Sequence, residues 1–476
     1  MIERLWIQPP LAFARLGPSP VPCDNYRYGP SDLTPRGTGK TTVLPDLTLD
    51  LDEEGELSER PSDRVRFKDD IGWRPVCPYF EVHGEWTIDG ESGTGPVTEQ
   101  VLTRSGLRLE DVRWEVSVAN LKAHHMTQQA GDRIEARVDL TGDDHRRHVL
   151  EGRSPQDAQQ PLVPAGEILP LGSVQVPAPN AELPELRLRF TPAVGAVYGP
   201  RGLDPDTGYE PPAEHLILNP DAAWCGFRVG SADSRTAPGL LFAGAENGWR
   251  SVGLVDDVCD GTVTVALPAA GLTATARIVA APPRFSPDRR PFVSLADGLA
   301  DRVQRADVHR PDYVEDEKQT AQEVRDLFER VLETMGAVNV DVQNERSTAE
   351  NAYLARLLNL APADARALTF DPPEPLLGLL LGLTERGRRR HRRFPALEVL
   401  EDMIRENPGL IREQVRAPAG SGGQGATTLD SPRFYTRQMP SNMRGSDAYP
   451  MHLTRRQYDL LVRWAEKLRE DTEPES

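Results

Sequence analysis

The chain lacks the long apolar segments that mark membrane and secreted proteins. Among its 476 residues, the longest apolar run is broadly 376–383, far shorter than the roughly 18 residues that a membrane-spanning helix needs. The N-terminus, Met-Ile-Glu-Arg-Leu-Trp, shows neither the apolar core nor the small-residue cleavage site of a signal peptide. We therefore expect a cytoplasmic protein that does not bind membranes.

Basic residues are in short supply. Lysine and arginine number 55 against 73 aspartate and glutamate residues, which gives a formal net charge of −18. Binding to nucleic acid depends on a surplus of basic residues facing the phosphates, so we expect no nucleic-acid partner. The single basic run, Arg-Gly-Arg-Arg-Arg-His-Arg-Arg (386–393), suits either a solvated loop or a contact with an acidic partner or a phosphate group.

Cysteine is also scarce, at four residues that lie far apart: Cys23, Cys77, Cys225 and Cys259. The sequence contains no Cys-x-x-Cys grouping, which excludes a structural zinc site of the usual spacing. In a cytoplasmic chain these residues are expected to be reduced thiols rather than disulfides.

The first 300 residues indicate β-structure. Glycine and proline, at 39 and 43 residues, punctuate segments in which apolar and polar residues alternate, as in strands with one buried face. The segment 154–184, rich in proline and glutamine, is expected to be an extended crossover or loop. Strands are predicted at 65–67, 79–83, 112–118, 134–140, 186–190, 263–267 and 276–280.

After Pro291 the period becomes helical. Apolar residues from Ala321 to Met335 form one helical stripe that Gly336 can end, and a second helix is expected to begin at a Ser347 cap. Further helices are predicted at 397–404 and 455–469. The fold class is therefore α+β: a β-rich, β-sandwich-like body (1–300), then a mainly helical section (301–476) with a Gly/Ser-rich loop at 417–431 and an acidic tail.

One glycine-rich segment, Arg-Gly-Thr-Gly-Lys-Thr-Thr (36–42), resembles a phosphate-binding loop. Such loops begin with a glycine, where this chain has Thr34, and they open a helix, which Pro45 disfavours. We interpret the segment as a turn.

Asp256, Asp257 and Asp260 place three carboxylates within five residues. Hard cations need several oxygen ligands at short range, so these aspartates are our first candidates for a metal site. The alternative is a turn before the strand at 263–267, with the carboxylates accepting backbone N–H groups.

Two histidine pairs offer another metal site, His124 with His125 and His145 with His148, with Asp143 or Asp144 as a carboxylate ligand. The two arginines between His145 and His148 would repel a cation, so exposed loop histidines are the alternative interpretation. No nucleophile elbow, dinucleotide fingerprint or His-Glu-x-x-His motif occurs, and the catalytic residues are unknown.

Several blocks, taken in order, resemble the LodA-like family, the lysine epsilon-oxidases and glycine oxidases that carry cysteine tryptophylquinone. The opening Ile-Gln-Pro-Pro-Leu-Ala-Phe-Ala-Arg-Leu-Gly (7–17) is similar to the start of that family. So are Trp-Glu-Val-Ser-Val-Ala-Asn (114–120) and Leu-Thr-Arg-Arg-Gln-Tyr (453–458), which is followed by Trp-Ala (464–465). Shorter blocks lie at 28–30, 67–69, 79–80, 122–123, 248–249, 256–261, 282–287, 290–293, 439–440 and 444–447.

The resemblance implies a LodA-like scaffold and the oxidation of an amine to an imine, with oxygen reduced to hydrogen peroxide. In the family, the quinone forms from a cysteine and a tryptophan after the last block. Here the final cysteine is Cys259, so we expect no self-derived quinone; the cofactor is unknown, with a metal ion left open. The chain also departs from the pattern at Gln8, for a family histidine, and at Thr262, for a family proline.

Three functions remain open. The first is a LodA-like oxidoreductase-related protein that acts on an amine, amino acid or peptide and borrows its electron acceptor, since ordinary side chains do not accept a hydride. The second is a noncatalytic scaffold or partner subunit of a split quinoprotein, with a second chain supplying the missing segment. The third is a substrate-binding pseudoenzyme. The sequence allows an oligomer and does not reveal the substrate.

Overall fold

The computed structural model describes residues 1–31, 41–202, 211–229, 242–245, 248–284, 287, 289–309, 316–336, 397–407, 409–418, 443–444, 449–450 and 452–470. The chain divides into two compact units. The first comprises Met1–Arg27 and Leu44–Phe285, and the second comprises Tyr28–Val43 and Ser286–Ser476. The main division along the chain therefore lies between residues 285 and 286, where the sequence-based boundary stood at residue 300.

Strands dominate the first unit and helices the second. The strands are β1 Ile2–Gln8, β2 Leu11–Arg15, β3 Tyr26–Ser31, β4 Thr41–Pro45, β5 Thr48–Leu51, β6 Leu57–Arg60, β7 Tyr79–Ile88, β8 Glu91–Pro96, β9 Arg113–Asn120, β10 Ile134–Thr141, β11 His148–Gly152, β12 Leu169–Gln175, β13 Arg187–Thr191, β14 Val197–Tyr198, β15 Arg228–Val229, β16 Phe242–Ala245, β17 Gly248–Ser251, β18 Val255–Asp256, β19 Cys259–Leu267, β20 Leu272–Ala281, β21 Met443–Arg444 and β22 Tyr449–Pro450. The helices are α1 Glu99–Arg104, α2 Lys122–Thr127, α3 Leu295–Gln304, α4 Glu317–Gly336, α5 Leu397–Glu406, α6 Gly409–Gln414 and α7 Arg455–Glu470.

Two larger sheets build the first unit. One has the order β1-β7-β13-β12-β11, with β8 paired to β7, and the other has the order β10-β9-β19-β20-β2. All their ladders are antiparallel except the parallel pair β2–β20. The hairpin β5–β6 pairs Thr48 with Arg60 and Leu51 with Leu57.

The two sheets share one hydrophobic core, because the alternating apolar residues of their strands point toward each other. Phe80 on β7 and Phe190 on β13 are fully buried with Trp114 on β9. Burying one such side chain stabilises the fold by about 1.5–3 kcal/mol relative to leaving it exposed. This core holds the strand ends and connecting loops of the first unit in place.

Six of the seven predicted strands are confirmed, as β7, β9, β10, β13, β19 and β20. The strand predicted at 65–67 is wrong. There the backbone N–H of Arg66 donates to the Asp24 carboxylate, and the carbonyl of Phe67 accepts the N–H of Arg74. These backbone groups therefore form hydrogen bonds within a loop and do not pair with a neighbouring strand.

The expectation of a loop throughout 154–184 also needs correction, because β12 lies within it. Its sequence does not indicate a strand, because it contains Pro170 and Gly172, and both residue types are unfavourable inside strands. Pro170 pairs next to the register shift between Val149 and Glu151 on the neighbouring strand, a place where a missing backbone donor is tolerated. Gly172 has φ +114°, and a Cβ there would lie 2.5 Å from the carbonyl oxygen of Thr191.

In the second unit, α4, α5 and α7 confirm the helices predicted at 321–335, 397–404 and 455–469. Helix α3 begins at Ser294, whose hydroxyl accepts the N–H of Asp297 while the Asp297 carboxylate accepts the N–H of Ser294. Val324, Leu327, Trp464 and their neighbours pack into a separate core. Across the described residues, no helix is both long and apolar enough to cross a membrane.

Five sequence-based predictions cannot be compared fully with the structure. The Ser347 helix, the basic run 386–393 and the acidic tail from residue 471 lie outside the described residues, as does 419–431 of the Gly/Ser-rich loop. Only the end of the glycine-rich segment 36–42 is described. It enters strand β4 at Thr41, where a phosphate loop would need a helix.

Candidate functional site: an arginine-lined cleft

The structure gives the three aspartates of the predicted metal site different partners. Asp256 accepts hydrogen bonds from Asn120 Nδ2 (3.3 Å) and from Lys122 Nζ (2.5 Å). Asp257 is buried and accepts two backbone N–H groups, while Asp260 is exposed on β19. Within the part of the chain that the structure describes, no group of three or more His, Cys, Asp or Glu side chains is placed to hold a metal ion.

Asp257 is hydrogen-bonded to the backbone of a neighbouring loop. Its Oδ2 accepts the N–H groups of Gly195 and Ala196 at 2.9 and 2.8 Å, which ties the loop before β14 to β18. Its Oδ1 is buried without a hydrogen-bond partner in the described structure. Burial raises the pKa of Asp257 to about 6, although the two backbone donors act to lower it. The carboxylate therefore acts as a tether for the loop before β14.

The histidine pairs are also bound to separate groups. His124, on helix α2, contacts the Gln129 carbonyl through Nδ1 at 2.8 Å, and His125 beside it is exposed. His145 Nδ1 lies 3.1 Å from the Val176 carbonyl, and His148 Nε2 lies 2.9 Å from Asp144 Oδ2.

Asp144 itself is held by Arg146 and His148. Hydrogen bonds from Arg146 and His148 lower the pKa of Asp144 to about 2, against the opposing effect of burial. A carboxylate held this way stays ionised and is already satisfied by its partners. The His145–His148 segment therefore forms a local ion-pair cluster.

A cleft in the first unit, absent from the sequence-based candidates, offers a better site. Its volume is about 1060 Å³, the size of a large small-molecule pocket. Six parts of the chain line it: the loop 17–22, the β5–β6 hairpin, the loop that precedes β7, Arg147 just before β11, Gln175 at the end of β12, and the segment 189–194 at the end of β13. We call it the arginine cleft, because its lining includes Arg60, Arg66, Arg74, Arg147 and Arg189.

Asp24 does not line the arginine cleft, but it is hydrogen-bonded to three of the arginines that do. Its carboxylate, fully buried, accepts hydrogen bonds from Arg60 Nη1 (2.9 Å), Ser62 Oγ (3.2 Å), the Arg66 N–H (3.0 Å) and Arg74 Nη1 (3.4 Å). Burial alone would raise the pKa of Asp24, but these donors hold it below its ordinary value. One buried anion thus fixes the segments that carry three of the five arginines.

Arg189 forms the buried end of the cleft and differs from its neighbour Arg187. Arg187 contacts the carboxylates of Glu81 (2.8 Å) and Glu185 (2.9 Å). Arg189 is 91% buried and, among the described residues, has no carboxylate ion pair. Its Nη1 reaches the Leu51 carbonyl at 3.5 Å, its guanidinium lies 5.9 Å from the Tyr79 ring, and its Nε has no hydrogen-bond partner in the described structure.

Arg147 brings a second positive charge to the same end. It donates from Nε to Ser173 Oγ at 2.8 Å and likewise has no carboxylate ion pair within the described ranges. Burial raises the pKa of the nearby Cys77 thiol, while the positive charges of Arg189 and Arg147 act to lower it. Both guanidinium groups therefore lie close to one thiol, and together they form a positive subsite that suits an oxyanion.

An acidic edge borders the positive subsite. Asp52, Glu53 and Glu54 follow β5 and are exposed. Gln175, which pairs with Arg189 on the neighbouring strand, fixes this stretch by donating from Nε2 to the carbonyls of Asp52 and Glu53, at 2.9 and 3.3 Å. The cleft therefore places a positive subsite beside an exposed acidic edge, and this arrangement complements a ligand with both charges.

The sequence alone does not reveal this site, because its residues lie between positions 17 and 194 without a repeated spacing. In the predicted strand Leu-Arg-Leu-Arg-Phe (186–190), alternation would expose both arginines, yet both are buried. The sequence pattern therefore concealed Arg189, because its burial is visible only in the fold.

No family model matches the chain, and no curated protein is significantly similar to it.

Proposed function

We propose that the chain is a LodA-like oxidoreductase-related protein that binds an amino acid or short peptide in the arginine cleft. The observation that carries this proposal is Arg189, a buried guanidinium at the end of a cleft without a carboxylate partner among the described residues. A buried charge is costly unless a counter-charge meets it. A ligand carboxylate would supply that charge and would accept two parallel hydrogen bonds from the planar guanidinium.

The acidic edge supports the second half of the proposal. An ammonium group is attracted to carboxylates, and Glu53 and Glu54 line the cleft as exposed side chains. Lys or Arg at this edge would instead have favoured a ligand with two anionic groups. The charge pattern thus favours a ligand that carries an amine and a carboxylate. Amino acids have both groups, and they belong to the substrate class that the LodA-like resemblance implies.

The cleft supplies recognition rather than oxidation chemistry. Burial keeps Cys77 a neutral thiol, since its pKa is raised, and oxidation of an amine needs an electron acceptor. We propose that turnover, where it occurs, depends on an acceptor from a bound cofactor or a second chain. Binding without turnover would make the chain a substrate-binding pseudoenzyme.

Isothermal titration with a matched set of ligands tests the proposal. Lysine carries both charges, cadaverine lacks its carboxylate, and 6-aminohexanoate lacks its α-amine. We expect lysine to bind at least tenfold more tightly than cadaverine, a difference of about 1.4 kcal/mol. Equal binding of lysine and cadaverine, or binding of neither, would refute it. Hydrogen peroxide formed during incubation with lysine would show that the chain itself catalyses oxidation.

A matched pair of variants locates the binding. Arg147 lines the cleft, whereas the adjacent Arg146 is 82% exposed, pairs with Asp144 and does not line it. Arg147→Gln should weaken lysine binding about tenfold, and Arg146→Gln should leave it unchanged. Equal effects of the two substitutions would place the ligand elsewhere.

A further inference from the structure

The arginine cleft is larger than a single amino acid requires. Its volume of about 1060 Å³ lies at the upper limit of small-molecule pockets, which hold drug-sized ligands in about 300–1,000 Å³. Its positive subsite continues along the chain from Arg189 into Thr191, Pro192 and Val194, which also line the cleft. A ligand that binds the positive subsite and fills the remaining volume must therefore be larger than one amino acid.

One wall of the cleft is apolar. Prolines at positions 18, 20, 22 and 192 line it. Val21 and Val194, at 42% and 54% exposure, are among the exposed large apolar side chains of the described structure and both face this cleft. The wall continues from the positive subsite, because Thr191, Pro192 and Val194 follow Arg189 in the chain. An apolar group next to a ligand carboxylate would bury this surface.

We propose that the occupant of the arginine cleft is the carboxyl-terminal segment of an extended peptide. This inference rests on the proposed function and specifies its ligand. The terminal carboxylate binds Arg189 and Arg147, an apolar last side chain packs against Val21 and Val194, and a basic group further back lies at the acidic edge.

The positive subsite decides which end of the peptide it binds. An amino terminus would bring an ammonium group beside Arg189 and Arg147, and like charges repel in a partly buried site. A carboxyl terminus instead places a negative charge beside the two guanidinium groups. A buried, oriented arginine is also the side chain best suited to a planar carboxylate.

Titration calorimetry with the tetrapeptide Lys-Ala-Ala-Val tests the inference. Its three comparison ligands are the same peptide with an amidated carboxyl terminus, the same peptide with an acetylated amino terminus, and free valine. We expect amidation to weaken binding at least tenfold, because it removes the charge that meets the positive subsite. We expect acetylation to have a smaller effect, since the lysine side chain keeps a positive charge. Free valine should bind at least tenfold more weakly than the tetrapeptide.

Substitution then links the carboxylate to the positive subsite. In Arg147→Gln, the affinity ratio between the acid and the amide should fall severalfold, whereas in Arg146→Gln it should stay at the wild-type value. Arg147 is exposed, so its loss should leave folding intact, which circular dichroism checks. Arg189→Lys, which keeps the charge but loses the planar fork, should also lower the ratio.

The outcomes separate this inference from the proposed function. If amide and acid bind equally, or if valine binds as tightly as the tetrapeptide, the peptide-terminus inference is overturned while lysine binding can still uphold the proposed function. If neither the tetrapeptide nor lysine binds, both are overturned.

Discussion

Replacing Asp24 tests whether a buried anion holds the arginine cleft together. In Asp24→Ala, the guanidinium groups of Arg60 and Arg74 lose a carboxylate that is fully buried and lies 2.9 and 3.4 Å from them. Ser62 Oγ and the Arg66 N–H lose the same acceptor. Removing one partner of a buried ion pair costs about 3–5 kcal/mol when the remaining charge stays buried without compensation. Arg60 is 35% exposed and keeps Asp50, and Arg74 keeps Asp69, so we expect a loss near the lower limit, about 3 kcal/mol. Urea unfolding monitored by tryptophan fluorescence measures this loss.

Asp50 provides the matched control. It pairs with the same Arg60, at 2.5 Å, but its side chain is 39% exposed. An ion pair of that kind contributes about 0–1 kcal/mol, since water screens it, so Asp50→Ala should change the unfolding free energy by no more than that. Similar losses in the two variants would refute the argument that burial decides the effect.

The pH dependence of the Asp24 contribution follows from the direction of its pKa. The pKa of Asp24 is lower in the fold than in the unfolded chain. Its contribution is therefore complete near neutral pH and is lost as the pH falls through the folded pKa. The stability difference between wild type and Asp24→Ala should shrink under acidic conditions, and a difference that grows there would contradict this assignment.

Three further predictions concern other parts of the chain. The folded pKa of Asp257 is raised to about 6, so wild type should lose roughly 3 kcal/mol relative to Asp257→Asn as the pH rises from about 4 to above 6; parallel pH–stability curves would count against it. Ser294→Ala removes the hydroxyl cap of α3 and should cost about 1 kcal/mol, with no loss in the conservative Ser294→Thr. Peptide mass mapping should find no Cys–Trp crosslink, because burial raises the pKa of the Cys225 and Cys259 thiols to about 12 and keeps them protonated; a crosslinked peptide would contradict this.

The sequence predicted the elements of the core well, because alternation in a half-buried strand is a local signal. Strands β9 and β10 follow that pattern, and each is paired along its full length. The prediction at 65–67 failed because a distant carboxylate, Asp24, accepts the Arg66 N–H. Alternation within three residues cannot report a partner that lies forty-two positions away.

The candidate site was harder to predict, for a physical reason. The aspartate and histidine clusters drew attention because their residues are close in sequence, yet Asp256 and Asp257 serve different partners in the fold. The arginine cleft arises from separate segments brought together by two sheets. Whether Arg189 meets a carboxylate depends on which strand lies beside β13, and one sequence does not specify that neighbour.

Hydrogen–deuterium exchange with and without the tetrapeptide Lys-Ala-Ala-Val tests the central claim most directly, because it locates the ligand without a substitution. The account predicts slower exchange in the segments that line the arginine cleft, namely 17–22, 48–60 and 187–194, and an unchanged rate in α4 and α7 of the second unit. Slower exchange confined to other segments, with these three unaffected, would contradict it.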